Sequence, residues 1–173
     1  KDWGATQTSH CVVIGANAGY DPDGTEATGA TLVGAYAGYQ GAGNSTAIGY
    51  YAAGYATGSY NTFVGYEAGK GGTTSDPFSS GENNIAMGYQ ALTAFTTGHS
   101  NIAIGNNAGD NITTGNYNTI IGRIAGSNLT DNEGNVLIGD GAGNGMDSGE
   151  GSNVIIGFSA GYSIDHTNSD DNV

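Results

Sequence analysis

The sequence predicts an all-β fold, a parallel β-solenoid of about nine coils, and three observations carry that expectation. One phrase occurs nine times in 173 residues: two or three apolar residues, a Gly, two variable residues, an Ala and usually a second Gly. The anchoring glycines are Gly15, Gly34, Gly49, Gly65, Gly88, Gly105, Gly122, Gly139 and Gly157, spaced by 19, 15, 16, 23, 17, 17, 17 and 18 residues. That period is too short for tetratricopeptide, ankyrin or propeller units and suits one turn of a β-solenoid. Composition supplies the third observation. Gly reaches 33, Pro only 2 and charged residues 11 %, which leaves little material for long amphipathic helices.

The strand is justified by the columns ahead of each anchor. The residue just before it is aliphatic or Met in all nine coils, from Ile14 to Ile156. Three before it, Val12, Thr31, Thr46, Thr62, Ile85, Ile102, Thr119, Val136 and Val154 are all β-branched. Side chains alternate along a strand, so these two columns share one face. The column between them is also apolar, from Val13 to Ile155. One face can line the coil's own core, and the other asks for a partner surface, either a second sheet or a second subunit.

The bend and the return follow. The anchor Gly suits a bend or a close approach of backbones. Three residues after it, Ala fills all nine coils, which implies a narrow interior. Four before the anchor, Asn stands in six coils: Asn61, Asn84, Asn101, Asn118, Asn135 and Asn153. Stacked Asn residues can form a side-chain hydrogen-bond ladder and also tolerate a left-handed turn. Each coil therefore reads as a turn, a strand of about five residues, a Gly bend and a short strand around the Ala. Two longer coils, near 21–29 and 70–83, read as loops bulging from the stack. The repeat domain is expected over 11–162, between an N-terminal segment (1–10) and an acidic C-terminal tail (163–173). Neither end has the look of an apolar cap, so something is expected to abut the stack.

Charge and composition exclude several functions. Three basic residues against 16 acidic ones give a net charge of −13, which repels a nucleic-acid backbone and disfavours anionic membranes. One Cys makes no internal disulfide. No apolar run approaches the ~18 residues of a membrane span, so no membrane insertion is expected. His10, His99 and His166 fall in different coils, and no nucleophile-and-base arrangement is visible. Cys11 reads as a small core residue. No enzymatic function is expected.

Two candidate sites remain. Asp21, Asp23 and Glu26 alternate oxygen ligands beside Gly24, like the first half of a calcium loop, but Leu32 stands where the closing acid belongs. Calcium is accordingly a possible cofactor, with a plain acidic turn as the simpler reading. Asp140, Asp147 and Glu150 form a looser cluster. The second candidate is aromatic. Tyr36, Tyr50, Tyr51, Tyr66 and Tyr89 follow their anchors by one or two positions, so stacked coils would align them into a stripe. Tyr suits both sugar and protein contacts, and packing between coils or subunits is the simpler reading.

The stretches Asn44-Ser45-Thr46-Ala47-Ile48-Gly49-Tyr50-Tyr51-Ala52-Ala53-Gly54, Asn101-Ile102-Ala103-Ile104-Gly105-Asn106-Asn107-Ala108-Gly109 and Asn118-Thr119-Ile120-Ile121-Gly122-Arg123-Ile124-Ala125-Gly126 resemble the head repeats of trimeric autotransporter adhesins, the YadA-like head. Similar repeats occur in phage tail fibres. The resemblance covers about 11–162. It implies a left-handed parallel β-roll, a homotrimer with three chains side by side, and adhesion to a host surface. The function expected is a structural and adhesive module of an extracellular, cell-surface or virion fibre that binds a host glycan or protein. The alternatives are a self-assembling extracellular filament subunit and a calcium-binding β-solenoid.

Overall fold

The computed structural model describes residues 10–21, 27–73, 77–146, 149 and 151–162. Within them the chain is all-β, a single solenoid. Nine strands of three residues each make one sheet: β1 (Val12–Ile14), β2 (Thr31–Val33), β3 (Thr46–Ile48), β4 (Thr62–Val64), β5 (Ile85–Met87), β6 (Ile102–Ile104), β7 (Thr119–Ile121), β8 (Val136–Ile138) and β9 (Val154–Ile156). They stack in chain order, every neighbour parallel. The register never slips, even across the two long coils: Val13 pairs with Leu32, and Phe63 with Ala86. The repeat columns of the sequence are therefore physical columns.

The strands are shorter than the expected five residues because the anchor glycines end them. Gly105 has φ +139°, and all nine anchors lie between +133° and +139°. A Cβ on Gly105 would stand 2.4 Å from the carbonyl oxygen of Gly122 in the next coil. Both the backbone conformation and the space therefore require glycine.

The short strand expected around the Ala does not form. After the anchor, the second and fourth residues are left-handed, as at Asn107 and Gly109, each with φ +54°. A pleated strand cannot contain that alternation. The wall opposite the sheet is instead a stack of turns. They bond coil to coil, with Asn107 N–H donating to Tyr89 O at 2.9 Å and Gly109 N–H to Ala125 O at 3.0 Å.

The core lies between sheet and turns. The middle residues of β2 to β9 are buried, and Val13 of β1 is half-buried. The Ala column is buried from Ala18 to Ala142, which confirms a narrow interior. A second buried column, Phe95, Ile112, Leu129 and Met146, thickens the core of the later coils. Phe95 meets Phe63 at 5.5 Å between ring centroids.

The Asn ladder is present and buried. An Asn amide nitrogen donates to a turn carbonyl, as from Asn101 to Gly115 at 2.8 Å, and the carbonyl oxygens from Asn61 to Asn135 accept the backbone N–H of the next Asn, as from Asn101 to Asn84 at 3.0 Å. The left-handed residue sits one position earlier than expected: Tyr60, Asn83, Ser100, Tyr117 and Ser152 have φ between +57° and +64°. The ladder side chain thus stays in the extended chain while its neighbour turns. In the first coils other residues take the column. Ser45 Oγ accepts Asn61 N–H at 3.1 Å, and Cys11 Sγ accepts Ala30 N–H at 3.3 Å while its thiol donates to Ala27 O. Cys11 is therefore a half-buried rung of this column that also packs against the core, as expected of a small core residue.

The long loop at 70–83 is partly built into the wall. Ser79 is buried, accepts Thr57 N–H at 2.8 Å and donates its own N–H to Tyr55 O at 3.0 Å. Residues 74–76 of that loop, most of the 21–29 loop, segment 1–9 and the tail from 163 onward lie outside the described residues. No helix among the described residues is long and apolar enough to cross a membrane.

Candidate functional site

Strand geometry decides which side chains face outward. The middle residue of each strand points into the core, so the residues on either side of it point away. These outward positions form two columns, nine side chains tall: the β-branched column from Val12 to Val154 and the aliphatic column from Ile14 to Ile156. None of the eighteen is buried. Ile48, Ile85, Met87, Val154 and Ile156 count among the exposed large apolar residues. The strip carries Val, Ile, Met and Thr only, without a charge, on a chain of net charge −13. No second sheet covers it among the described residues. Parallel sheets are ordinarily covered on both faces, and among the described residues this one has a cover on its inner face only.

Beyond the anchor glycines lie the tyrosines. All five of the expected stripe come together, as two adjoining ladders. Tyr50, Tyr66 and Tyr89, each directly after its Gly, stack with centroids 5.3 and 5.2 Å apart and interplanar angles of 18° and 9°. Tyr36 and Tyr51, second after their glycines, stack at 4.7 Å and 8°. Tyr50 joins the ladders by an edge contact with Tyr51 at 5.1 Å. Tyr39 reaches Tyr20, Tyr36 and Tyr51, and Tyr55 reaches Tyr51 and Phe78. The sequence reading omitted Tyr20, Tyr39 and Tyr55. Tyr20 and Tyr39 share a signal, each standing five residues after its anchor.

This packing fixes what the ladder can offer. Ring faces inside the stack of Tyr50, Tyr66 and Tyr89 are occupied by neighbouring rings, so along it ring edges and hydroxyls face outward, and of the three only Tyr89, at the end, has a single ring partner among the described residues. Burial, then a hydrogen bond with Tyr55, pushes the Tyr51 phenol up to about 12. Lys70 Nζ lies 5.5 Å over the Tyr51 ring and pairs with Glu67 at 2.9 Å. Past Tyr89 the same column becomes polar: Asn106, then Arg123, whose Nε and Nη2 both bind Asp140 at 2.9 Å.

Of the acidic candidates, only Asp21 and Asp140 fall among the described residues. Asp21 is half-buried, while Asp23 and Glu26 lie outside the described residues, as do Asp147 and Glu150. Among the described residues no group of three or more His, Cys, Asp or Glu could hold a metal ion. His10 and His99 stand beside β1 and β6, and His99 packs edge-on to Tyr117 at 5.1 Å. His166 is outside the described residues. No protein-family model matches the chain, and neither a curated protein nor a solved structure matches it.

Proposed function

We propose that this chain is a structural and adhesive module of a fibre at a cell surface or on a virion. It works as a homotrimer whose subunits meet through their outer sheet faces and whose tyrosine-bearing flanks bind a host-surface glycan or protein. The observation that carries the reading is the uncharged eighteen-residue strip on the outside of a parallel sheet. Covering a Val, Ile or Met side chain contributes about 1.5–3 kcal/mol when complete. A partner face of the same composition would gain that repeatedly along nine coils, with no charge to desolvate. The threefold arrangement follows from the resemblance to the adhesin head repeats. Three identical flanks would then sum weak contacts into avidity.

Light scattering on a sizing column tests the assembly. A particle near three times 17.3 kDa is expected, and a single-chain mass overturns it. The adhesive half is tested separately. Replacing Tyr50, Tyr66 and Tyr89 with Ala should weaken binding to immobilised cell-surface glycans or proteins without changing that mass. A filament subunit is a second reading, favoured by one observation. The last described coil leaves Ile156 65 %, Phe158 81 % and Tyr162 66 % exposed beside β9, a surface suited to end-to-end stacking. That reading expects an open polymer in sedimentation.

A further inference from the structure

We propose that the tyrosine cluster of the first five coils is a site of oxidative cross-linking, at which neighbouring coils become joined by dityrosine bonds. Three stacked pairs carry the inference: Tyr36 with Tyr51 at 4.7 Å and 8°, Tyr66 with Tyr89 at 5.2 Å and 9°, and Tyr50 with Tyr66 at 5.3 Å and 18°. The partners of each pair sit at the same repeat position on adjacent coils, so backbone register holds the rings together before any chemistry occurs. The co-reactant required is a one-electron oxidant of the peroxidase–peroxide class. Each phenol gives up one electron and one proton and becomes a neutral radical, its unpaired spin shared between the oxygen and the ring carbons beside it. Two such radicals join through those carbons. Each coupled carbon then loses its hydrogen as a proton, each oxygen regains one, and both rings become aromatic again. One carbon–carbon bond forms, two hydrogens leave the protein, and one peroxide is reduced to two waters.

The array also helps two radicals to meet. Ring contacts run without a break from Tyr20 through Tyr39, Tyr36, Tyr51, Tyr50 and Tyr66 to Tyr89, with centroids no more than 5.7 Å apart. Tyr20, Tyr50, Tyr66 and Tyr89 are exposed to an oxidant. Tyr60 and Tyr117 are more exposed, at 63 % each, yet Tyr117 packs on His99 and neither shows a tyrosine neighbour among the described residues. They supply an internal control. A solenoid coil is held by its neighbours alone, so a covalent link between adjacent coils opposes the step by which the stack unzips.

The experiment treats the full chain with a haem peroxidase and hydrogen peroxide. Dityrosine is read by fluorescence, by peptide mapping and on a denaturing gel. Links within one chain at 36–51, 50–66 and 66–89 are expected, with a band still at the single-chain mass and a raised melting temperature. Tyr66→Phe keeps the ring but breaks two of the three pairs, so the yield should fall at least twofold, whereas Tyr117→Phe should leave it unchanged. The proposal is overturned if no dityrosine forms, if the links lie only between chains or at Tyr60 and Tyr117, or if Tyr66→Phe yields as much as the parent.

Discussion

Asn118 donates twice to one oxygen of Asn101: its side-chain Nδ2 and its backbone N–H both reach Asn101 Oδ1 at 3.0 Å. The pattern repeats one coil on, where Asn135 N–H donates to Asn118 Oδ1 at 3.0 Å. Removing the Asn118 amide therefore strands a buried backbone N–H in the next coil and takes away the Nδ2–H that donates to the turn carbonyl of Asn132, also in the next coil. An unpartnered buried group costs about 1–3 kcal/mol, so Asn118→Ala should destabilise by about 2–4 kcal/mol. Asn118→Ser should cost less, because the Ser45 hydroxyl already serves as the acceptor for Asn61 N–H in this column. Urea denaturation of the two variants checks the order. Equal losses would show that the ladder acceptor is not what the column supplies.

Gly105 meets Gly122 so closely that no side chain fits between the coils. Gly105→Ala combines a strained φ with a Cβ 2.4 Å from a carbonyl oxygen that the sheet holds in place. It should cost at least about 3 kcal/mol. Gly43→Ala is the matched control, since its Cβ would stand 3.4 Å from the Ser59 hydroxyl, the end of a side chain. It should stay within about 1 kcal/mol of the parent. Melting curves of the pair measure the difference.

These two columns, with the strand and the Ala, were legible in the sequence because each recurs at one offset through nine coils. The turn wall was not. Small and apolar residues around the Ala look like strand, yet Tyr36, Tyr51 and Ile124 all take left-handed conformations there, with φ +60°, +54° and +51°. Their side chains do not favour that state. The coil-to-coil backbone bonds impose it, and those bonds leave no trace in residue type. The core column Phe95, Ile112, Leu129 and Met146 keeps a 17-residue spacing but is hidden by Gly41, Ala56 and Gly72 at the same offset in earlier coils. Of the tyrosine cluster, the stripe was legible from the repeat. The stacking of the rings depends on side-chain orientation, which the repeat pattern does not fix.

Two carboxylates should respond to acid in opposite directions. At Glu67, burial works to raise the pKa, but hydrogen bonds from Gln90 at 2.8 Å and Lys70 at 2.9 Å outweigh it and hold the group below its ordinary 4.5. Its stabilising contribution is therefore complete above 4.5 and is lost as pH falls through the lowered value. At Asp110, burial dominates the hydrogen bond from Asn107 and raises the group above its ordinary 3.8. Its penalty is full at neutral pH, shrinks as pH falls through the raised value and vanishes below 3.8. Glu67→Gln should thus melt lower than the parent at neutral pH and match it once the pH lies below the lowered value. Asp110→Asn should melt higher at neutral pH and converge in acid. Melting temperatures taken as differences from the parent isolate each group from the other carboxylates.

Ile120 and Ile121 are neighbours in β7 with opposite surroundings, the first fully buried and the second facing out from the uncovered strip. Ile120→Ala leaves a void in the core and should cost about 2–5 kcal/mol of stability. Ile121→Glu removes no core packing, so the single chain should keep its circular dichroism and lose little stability. In an assembly through the strip, however, each copy would bring a carboxylate into an apolar contact with nothing to pair it. The native mass should then fall to the single-chain 17.3 kDa. Salt provides an independent check on the parent. Copies of net charge −13 repel one another everywhere except across the strip, so raising the ionic strength should tighten the assembly. An assembly that loosens in salt, or one that survives Ile121→Glu, would place the contact on another face.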